Sequence, residues 1–181
     1  MMTDVTVAEL LTAAENGSQD AWNALVDRYG RLVWSVIRGF RLDAATAADV
    51  SQTVWLRLVE HCGRIRNPDG LASWLATTAR NESIRASRRL TKSVPTEFSL
   101  EVPDEGAPGI DERLLLDEQQ QEVVAAFGEM SEKCRGLLGL LCADPPLEYE
   151  EISEILEMPI GSIGPTRARC LDRLRRLLER R

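Results

Sequence analysis

The chain is poor in the side chains that build metal and catalytic centres. It has one histidine, His61, and four cysteines with no CxxC pair among them. Structural zinc sites need paired ligands at short, fixed spacings, and His61-Cys62 has no partner pair at such a spacing, so no metal is expected. Cys62, Cys134, Cys142 and Cys170 are expected as buried, reduced thiols. No nucleophile–base pairing, phosphate-cradling loop or pair of catalytic carboxylates can be read, which argues against an enzyme and against any cofactor. No apolar run approaches the roughly 18 residues that cross a bilayer, and the N-terminus MMTDVTVAEL lacks the basic-then-apolar pattern of a signal peptide. The cytoplasm is the expected compartment, with no membrane partner. No internal repeat or heptad run is visible. An excess of positive charge is missing too: the net charge is −7, which excludes simple nonspecific coating of nucleic acid.

The basic charge that is present is unevenly placed. It concentrates at Arg80–Lys92 and again after Ile160, with the acidic stretch 91–112 between them. The length of 181 residues allows one domain or two small ones. An apolar fraction of 44% with 28% charged residues suits a soluble helical protein.

The most informative stretch is Glu148 to Leu178. Tyr149, Ile152, Ile155 and Leu156 recur at helical spacing. Met158-Pro159-Ile160-Gly161 breaks that pattern, because proline cannot continue a helix and glycine frees the backbone. Ser162 is expected to cap the next helix, and Pro165 falls in its first turn, where no intrahelical N–H is lost. Ile163, Cys170, Leu174, Leu177 and Leu178 form the apolar side of that helix, while Arg169, Arg173, Arg176 and Arg180 form a basic stripe. Two short helices, a tight turn and a basic second helix make a helix-turn-helix, whose second helix enters the DNA major groove. A helical hairpin with a solvated basic face fits the same residues.

Earlier in the chain, helices are expected over about 5–16, 19–40, 44–62 and 71–90. In the third, Asp49, Gln52 and Leu56 share one side: either a solvated edge or a strip that docks another protein. The stretch 63–70 reads as a loop punctuated by Pro68 and Gly70. In the fourth helix, Thr77, Asn81, Ile84 and Arg88 follow at spacings of four, three and four, with Arg80, Arg85 and Arg89 nearby. Asparagine can bond base edges and arginine can hold phosphates; a soluble helix end is the plainer alternative. Residues 91–112, rich in proline and glycine, read as an acidic linker. Further helices are expected over about 111–128 and 132–142. The expected fold is therefore all-α, with two small helical domains, 1–90 and 113–181, joined by that linker.

Three blocks, in order, resemble the bacterial RNA polymerase sigma factors, in particular the extracytoplasmic-function (ECF) group of the sigma-70 family. They are AADVSQTVWLRL (Ala47–Leu58), GLASWLATTARNESIRASRR (Gly70–Arg89) and YEEISEILEMPIGSIGPTRARCLDRLRR (Tyr149–Arg176). The resemblance implies a region 2-like first domain and a region 4-like second one. Both bind core RNA polymerase, at its clamp coiled coil and flap region, and both bind promoter DNA. It implies that Asp49, Gln52 and Leu56 face the clamp. It assigns Asn67, Thr77, Arg80, Asn81, Ile84 and Arg88 to the −10 element, with Asn81 and the 63–70 loop capturing an unstacked base. It assigns Ser162, Gly164, Thr166, Arg167, Arg169, Arg173 and Arg176 to the −35 element. The linker is expected to thread toward the polymerase active-site cleft. An anti-sigma protein is a further candidate partner.

The chain departs from the family pattern at several positions. Thr53 stands where an acid commonly follows the glutamine, and Arg85 where an aspartate is common. Glu148 replaces a capping Ser or Thr, and Glu157 a helix-ending glycine. Gly164-Pro165 replaces a polar pair that normally includes a lysine. Arg167 stands at a usually apolar position, with its stem expected to pack and its head to reach solvent. A stand-alone helix-turn-helix regulator and a pure protein-interaction module are the competing readings.

Overall fold

Short polar side chains start several of the helices. Thr6 opens α1 (Val7–Glu15): its hydroxyl accepts the Glu9 amide at 3.3 Å, and the Glu9 carboxylate accepts the Thr6 amide at 2.8 Å. These reciprocal bonds satisfy amides that have no partner inside the helix. Gly17, with φ +87°, turns the chain, and Ser18 caps α2 (Gln19–Ile37) through the Ala21 amide. Asp43 caps α3 (Ala44–His61), taking both the amide and the hydroxyl of Thr46 at 2.9 and 2.6 Å. The computed structural model describes residues 5–93 and 118–180.

α2 stops at Ile37, short of the expected 40, because Gly39 and Phe40 close turns onto the Val36 and Ile37 carbonyls. The 63–70 stretch is more ordered than a plain loop: Cys62–Arg64 and Pro68–Gly70 are single 3-10 turns. α4 spans Leu71–Ser93, three residues past the expected domain end at 90. The remainder of the 91–112 linker, and the first part of the helix expected from 111, lie outside the described residues. The second half comprises α5 (Glu118–Gly128), α6 (Glu132–Leu141), α7 (Tyr149–Leu156) and α8 (Ile163–Leu178). No strand occurs among the described residues.

Leu25, Leu32, Val33, Ile37, Val54, Leu58, Leu71 and Leu75 are almost fully enclosed and bind α2–α4 into one bundle, which Leu10, Leu11 and Ala14 of α1 join. The same apolar cluster continues into the second half through Leu137, Leu140, Ile152, Ile155 and Ile163. A smaller cluster, Ala126, Met130, Leu138, Cys170 and Leu177, joins α5, α6 and α8. The two halves expected as separate domains thus share a core across α2, α4, α6 and α7.

Glycines allow that approach. A Cβ on Gly139 would lie 2.9 Å from the Ser35 carbonyl oxygen, and one on Gly39 only 3.3 Å from the Gly136 Cα. Backbone therefore meets backbone where α6 crosses the end of α2. Arg135, buried beside this seam, donates to the carbonyls of Gly39 (3.1 Å), Gly128 and Met130. A buried guanidinium needs such acceptors, since an unpaired one is costly.

The cysteine expectation needs correction. Cys134 on α6 and Cys170 on α8 form a disulfide with their Cα atoms 5.4 Å apart, although 36 residues separate them. The helices lie side by side, which spacing along the chain could not reveal. Cys62 and Cys142 are free, and Cys142 is exposed rather than buried.

Candidate functional site

Asp49, Gln52 and Leu56 all point outward from α3. Leu56 is 54% exposed and Val59 53%. Val59 continues the same three-four-three progression, so it belongs to the strip and could have been found by extending it one step. Thr53 turns its hydroxyl back to the Asp49 carbonyl at 2.8 Å. This pairing within the helix removes it from the strip. The result is a carboxylate, an amide and two large aliphatic side chains along one helix face.

On α4 the exposed strip also stands: Thr77, Asn81 and Arg88 are exposed and Ile84 is half-buried. Arg80 departs from it. Its guanidinium pairs with Glu157 of the second half at 3.5 Å, and its side chain is only 22% exposed. Arg85 lies against Glu82 at 2.6 Å, and Arg57 of α3 approaches the same carboxylate at 3.9 Å. The arginine that replaces an aspartate therefore pairs within α4, while Arg57 reaches across from α3 to the same carboxylate.

Asn67 is exposed at the start of the Pro68–Gly70 turn. Asn81 stands ten residues beyond Leu71, about 15 Å further along the helix axis. The two amides are thus separate contact points along an extended surface, not walls of one cup. His61 Nδ1 lies 2.9 Å from the Arg57 carbonyl and its ring stands 6.1 Å from that of Trp74, a packing role. No group of three or more His, Cys, Asp and Glu side chains fit to hold a metal occurs among the described residues. No helix among them is long and apolar enough to cross a membrane.

The helix-turn-helix forms as expected, with two corrections at its turn. Ser162 does not cap α8: its backbone is helical and its hydroxyl donates to the Pro159 carbonyl at 2.7 Å, closing the Ile160–Ser162 turn. Thr166 is 5% exposed and faces inward with Ile163, Cys170 and Leu177, so it is unavailable to a groove. Its Oγ accepts from Arg169 Nη2 at 3.1 Å, which orients that arginine instead. The spacing 163, 166, 170, 174, 177 carried this signal, since threonine fills one slot of the inward face. Gly164, Arg167, Arg169 and Arg173 are exposed. Arg167 thus lies outside the core that its stem was expected to join. Arg176 is paired with Asp172 on its own helix at 2.6 Å.

α7 ends on Glu157 at φ 52° and ψ 45°, the only non-glycine residue with positive φ among those described. Left-handed backbone crowds a Cβ against the next carbonyl, at a cost of about 1–2 kcal/mol. At the other end of α7 the Glu148 amide donates to the Glu151 carboxylate at 2.8 Å, the half of a capping box that satisfies the N-cap amide and needs no Ser or Thr.

Comparison with known proteins agrees with this arrangement. The family model of sigma-70 region 2 matches residues 25–93. The chain is 27% identical to the RNA polymerase sigma-H factor of Pseudomonas aeruginosa, covering 90% of this chain and 89% of that protein. It is 26% identical to the ECF RNA polymerase sigma-E factor of Escherichia coli K12 with the same coverage. Among solved structures, CnrH in complex with the cytosolic domain of CnrY shares the fold with a TM-score of 0.63 at 19% identity, covering 95% of this chain and 96% of that one. The sigma factor RpoE of Bartonella quintana, solved with the anti-sigma factor NepR, gives 0.62 at 20% identity, covering 90% and 98%. Residues 25–93 thus match sigma-70 region 2, and over most of its length the chain is similar to RNA polymerase sigma factors, one of them of the extracytoplasmic-function group.

Proposed function

We propose that this chain binds core RNA polymerase, brings it to promoters and holds the melted −10 strand, working in the cytoplasm and supplying no bond-making chemistry of its own. One observation carries the docking step. The α3 strip of Asp49, Gln52, Leu56 and Val59 presents two aliphatic side chains, each more than half exposed, beside a carboxylate and an amide. Exposed aliphatics grouped with polar side chains are the usual make-up of a protein-binding patch. The clamp coiled coil is its proposed partner.

Asn67, Thr77, Asn81, Ile84 and Arg88 form the proposed −10 surface. An extruded base needs an amide or backbone group for its edge and an apolar face to lie on. Asn81 offers the first and Ile84 the second. For the −35 element, Gly164, Arg167, Arg169 and Arg173 are the proposed contacts, with Arg176 reaching phosphate once it leaves Asp172. Gly164 has open space around it, so a phosphate can approach the free amides at the start of α8. The flap region is the proposed second contact on the polymerase, and residues 1–90 and 113–181 are the proposed functional halves. CnrH and RpoE were each solved with a second protein, and a protein of that kind is a proposed regulator here.

Reconstituted transcription tests the reading. Core polymerase plus this chain should initiate on a subset of a promoter library, and Asp49→Arg should abolish that while leaving the helical signal unchanged. A chain that binds duplex promoter alone and leaves core enzyme inactive would make it a stand-alone regulator.

A further inference from the structure

We propose that Cys134 and Cys170 form a reversible oxidation site that sets the hold on α8: the helix is fixed to α6 while the pair is a disulfide and loosened while it is a dithiol. This rests on the proposed function at one point, that α8 reads the −35 element.

The place of the bond is the first observation. Cys170 is 1% exposed and faces inward with Ile163, Thr166 and Leu177. Its neighbour Arg169 points outward, oriented by the Thr166 hydroxyl at 3.1 Å. The bond from Cys170 to Cys134 therefore grips α8 at the turn that carries Arg169 and Arg173.

The second is how little else holds that turn. Among the described residues, the main core reaches α8 only at Ile163, its first residue. The helix then continues for about 22 Å. Along that length it rests on the smaller cluster of Ala126, Met130, Leu138 and Leu177, in which Cys170 is itself the fifth buried member. Few buried apolar contacts make local opening easy. A covalent tie to α6 therefore changes the order of α8 more than it would in a large core.

The third is a difference between the two sulfurs. Cys170 is enclosed, whereas Cys134 is half-buried and is the third residue of α6, behind the Ser131 cap. Reagents reach Cys134 first, and a helix N-terminus favours the thiolate that reacts. In the dithiol, the Cys134 thiolate attacks a hydroperoxide. The O–O bond breaks, an alcohol or water leaves, and Cys134 becomes a sulfenic acid. The Cys170 thiol then displaces water from that sulfur and closes the S–S bond. The pair has lost two electrons and the peroxide has gained them. A small dithiol reverses the step. One of its thiolates attacks the Cys134 Sγ and expels the Cys170 thiolate; its second thiol then frees Cys134 and the reductant leaves as a disulfide.

An α8 that is already fixed need not be ordered at the moment of binding, so the disulfide form is the better −35 reader. The test uses the full chain, oxidised with hydrogen peroxide or reduced with dithiothreitol, each reagent then removed. Initiation with limiting core polymerase is compared on a promoter that needs its −35 element and on a premelted template without one. The oxidised protein should exceed the reduced one at least about fivefold on the first, the low end of couplings between two sites, and equal it on the second. Cys134→Ser should match the reduced protein under both treatments; it keeps Cys62 and Cys142, so it also reports any effect of oxidising those. Equal initiation by the two forms on the −35 promoter would overturn the proposal, as would a peroxide response that survives in Cys134→Ser. Failure on both templates would instead count against the proposed function. Hydrogen exchange along α8 in the free chain then decides the redox site: it should be slower in the oxidised form, and equal exchange would overturn the site.

Discussion

Three side chains decide most at the residue scale. Asn81 sits mid-helix on an exposed strip with no structural duty in the bundle. Asn81→Ala is expected to weaken promoter opening more than core binding. Open-complex yield measured beside a core-binding isotherm checks this, and equal losses would contradict it. Thr166→Val keeps the buried shape but frees Arg169. It is expected to lower affinity for a −35 duplex about two- to five-fold in the polymerase complex, against roughly tenfold or more for Arg169→Ala if that arginine reads a base. Asp43 is different, since it serves only stability. Its bonds to the Thr46 hydroxyl and amide hold its carboxyl below the usual 3.8. A depressed folded pKa means the stabilisation is present above that value and lost as pH falls through the folded one. Asp43→Ala should cost about 1 kcal/mol at neutral pH, and the deficit in a thermal melt should shrink below about pH 4. Exposed functional residues were legible here because helical spacing reveals which side faces out. Ser162 and Thr166 were not. A serine before a helix reads as a cap until its hydroxyl is seen closing the preceding turn, and a threonine in an inward slot reads as polar until its burial is seen.

At the scale of elements, the helices followed from apolar spacing, while the side-chain caps at Thr6, Ser18, Asp43 and Ser131 emerged only in the structure. The α3 strip followed too, one residue short of its length. Val59→Asp is therefore expected to reduce core binding as Leu56→Asp does, with unchanged helicity, in a competition assay against another sigma factor. The joints between elements were not legible. Arg135 meets carbonyls of Gly39, Gly128 and Met130, and no side-chain pattern foretells backbone acceptors that lie up to 96 residues away. The disulfide from α6 to α8 was hidden for the same reason. A crosslink closing a loop of this length constrains the unfolded chain by about 3–4 kcal/mol. Cys134→Ser, or reduction, should lower the melting temperature and loosen α8 first. Hydrogen exchange along α8 reads this directly, and unchanged protection would show the pair to be energetically idle. In any reducing compartment the pair is expected as a dithiol, so the oxidised and reduced proteins should be compared side by side.

For the whole molecule, composition and the breaks in periodicity pointed to two helical halves, 1–90 and 113–181, and gave no sign that they share a core. Leu137, Leu140, Ile152 and Ile155 of the second half join the core of the first. The seam depends on Gly136 and Gly139, which present no side chain for a hydrophobic pattern to register. The proposed function makes dependence on a larger enzyme the central property of the molecule. Permanganate reactivity of thymines around the −10 element measures that dependence. The account predicts reactive, unstacked thymines only when this chain and core polymerase are both present, and their loss with Asp49→Arg. Tight promoter binding by the chain alone, with no reactive thymines when core polymerase is added, would contradict it.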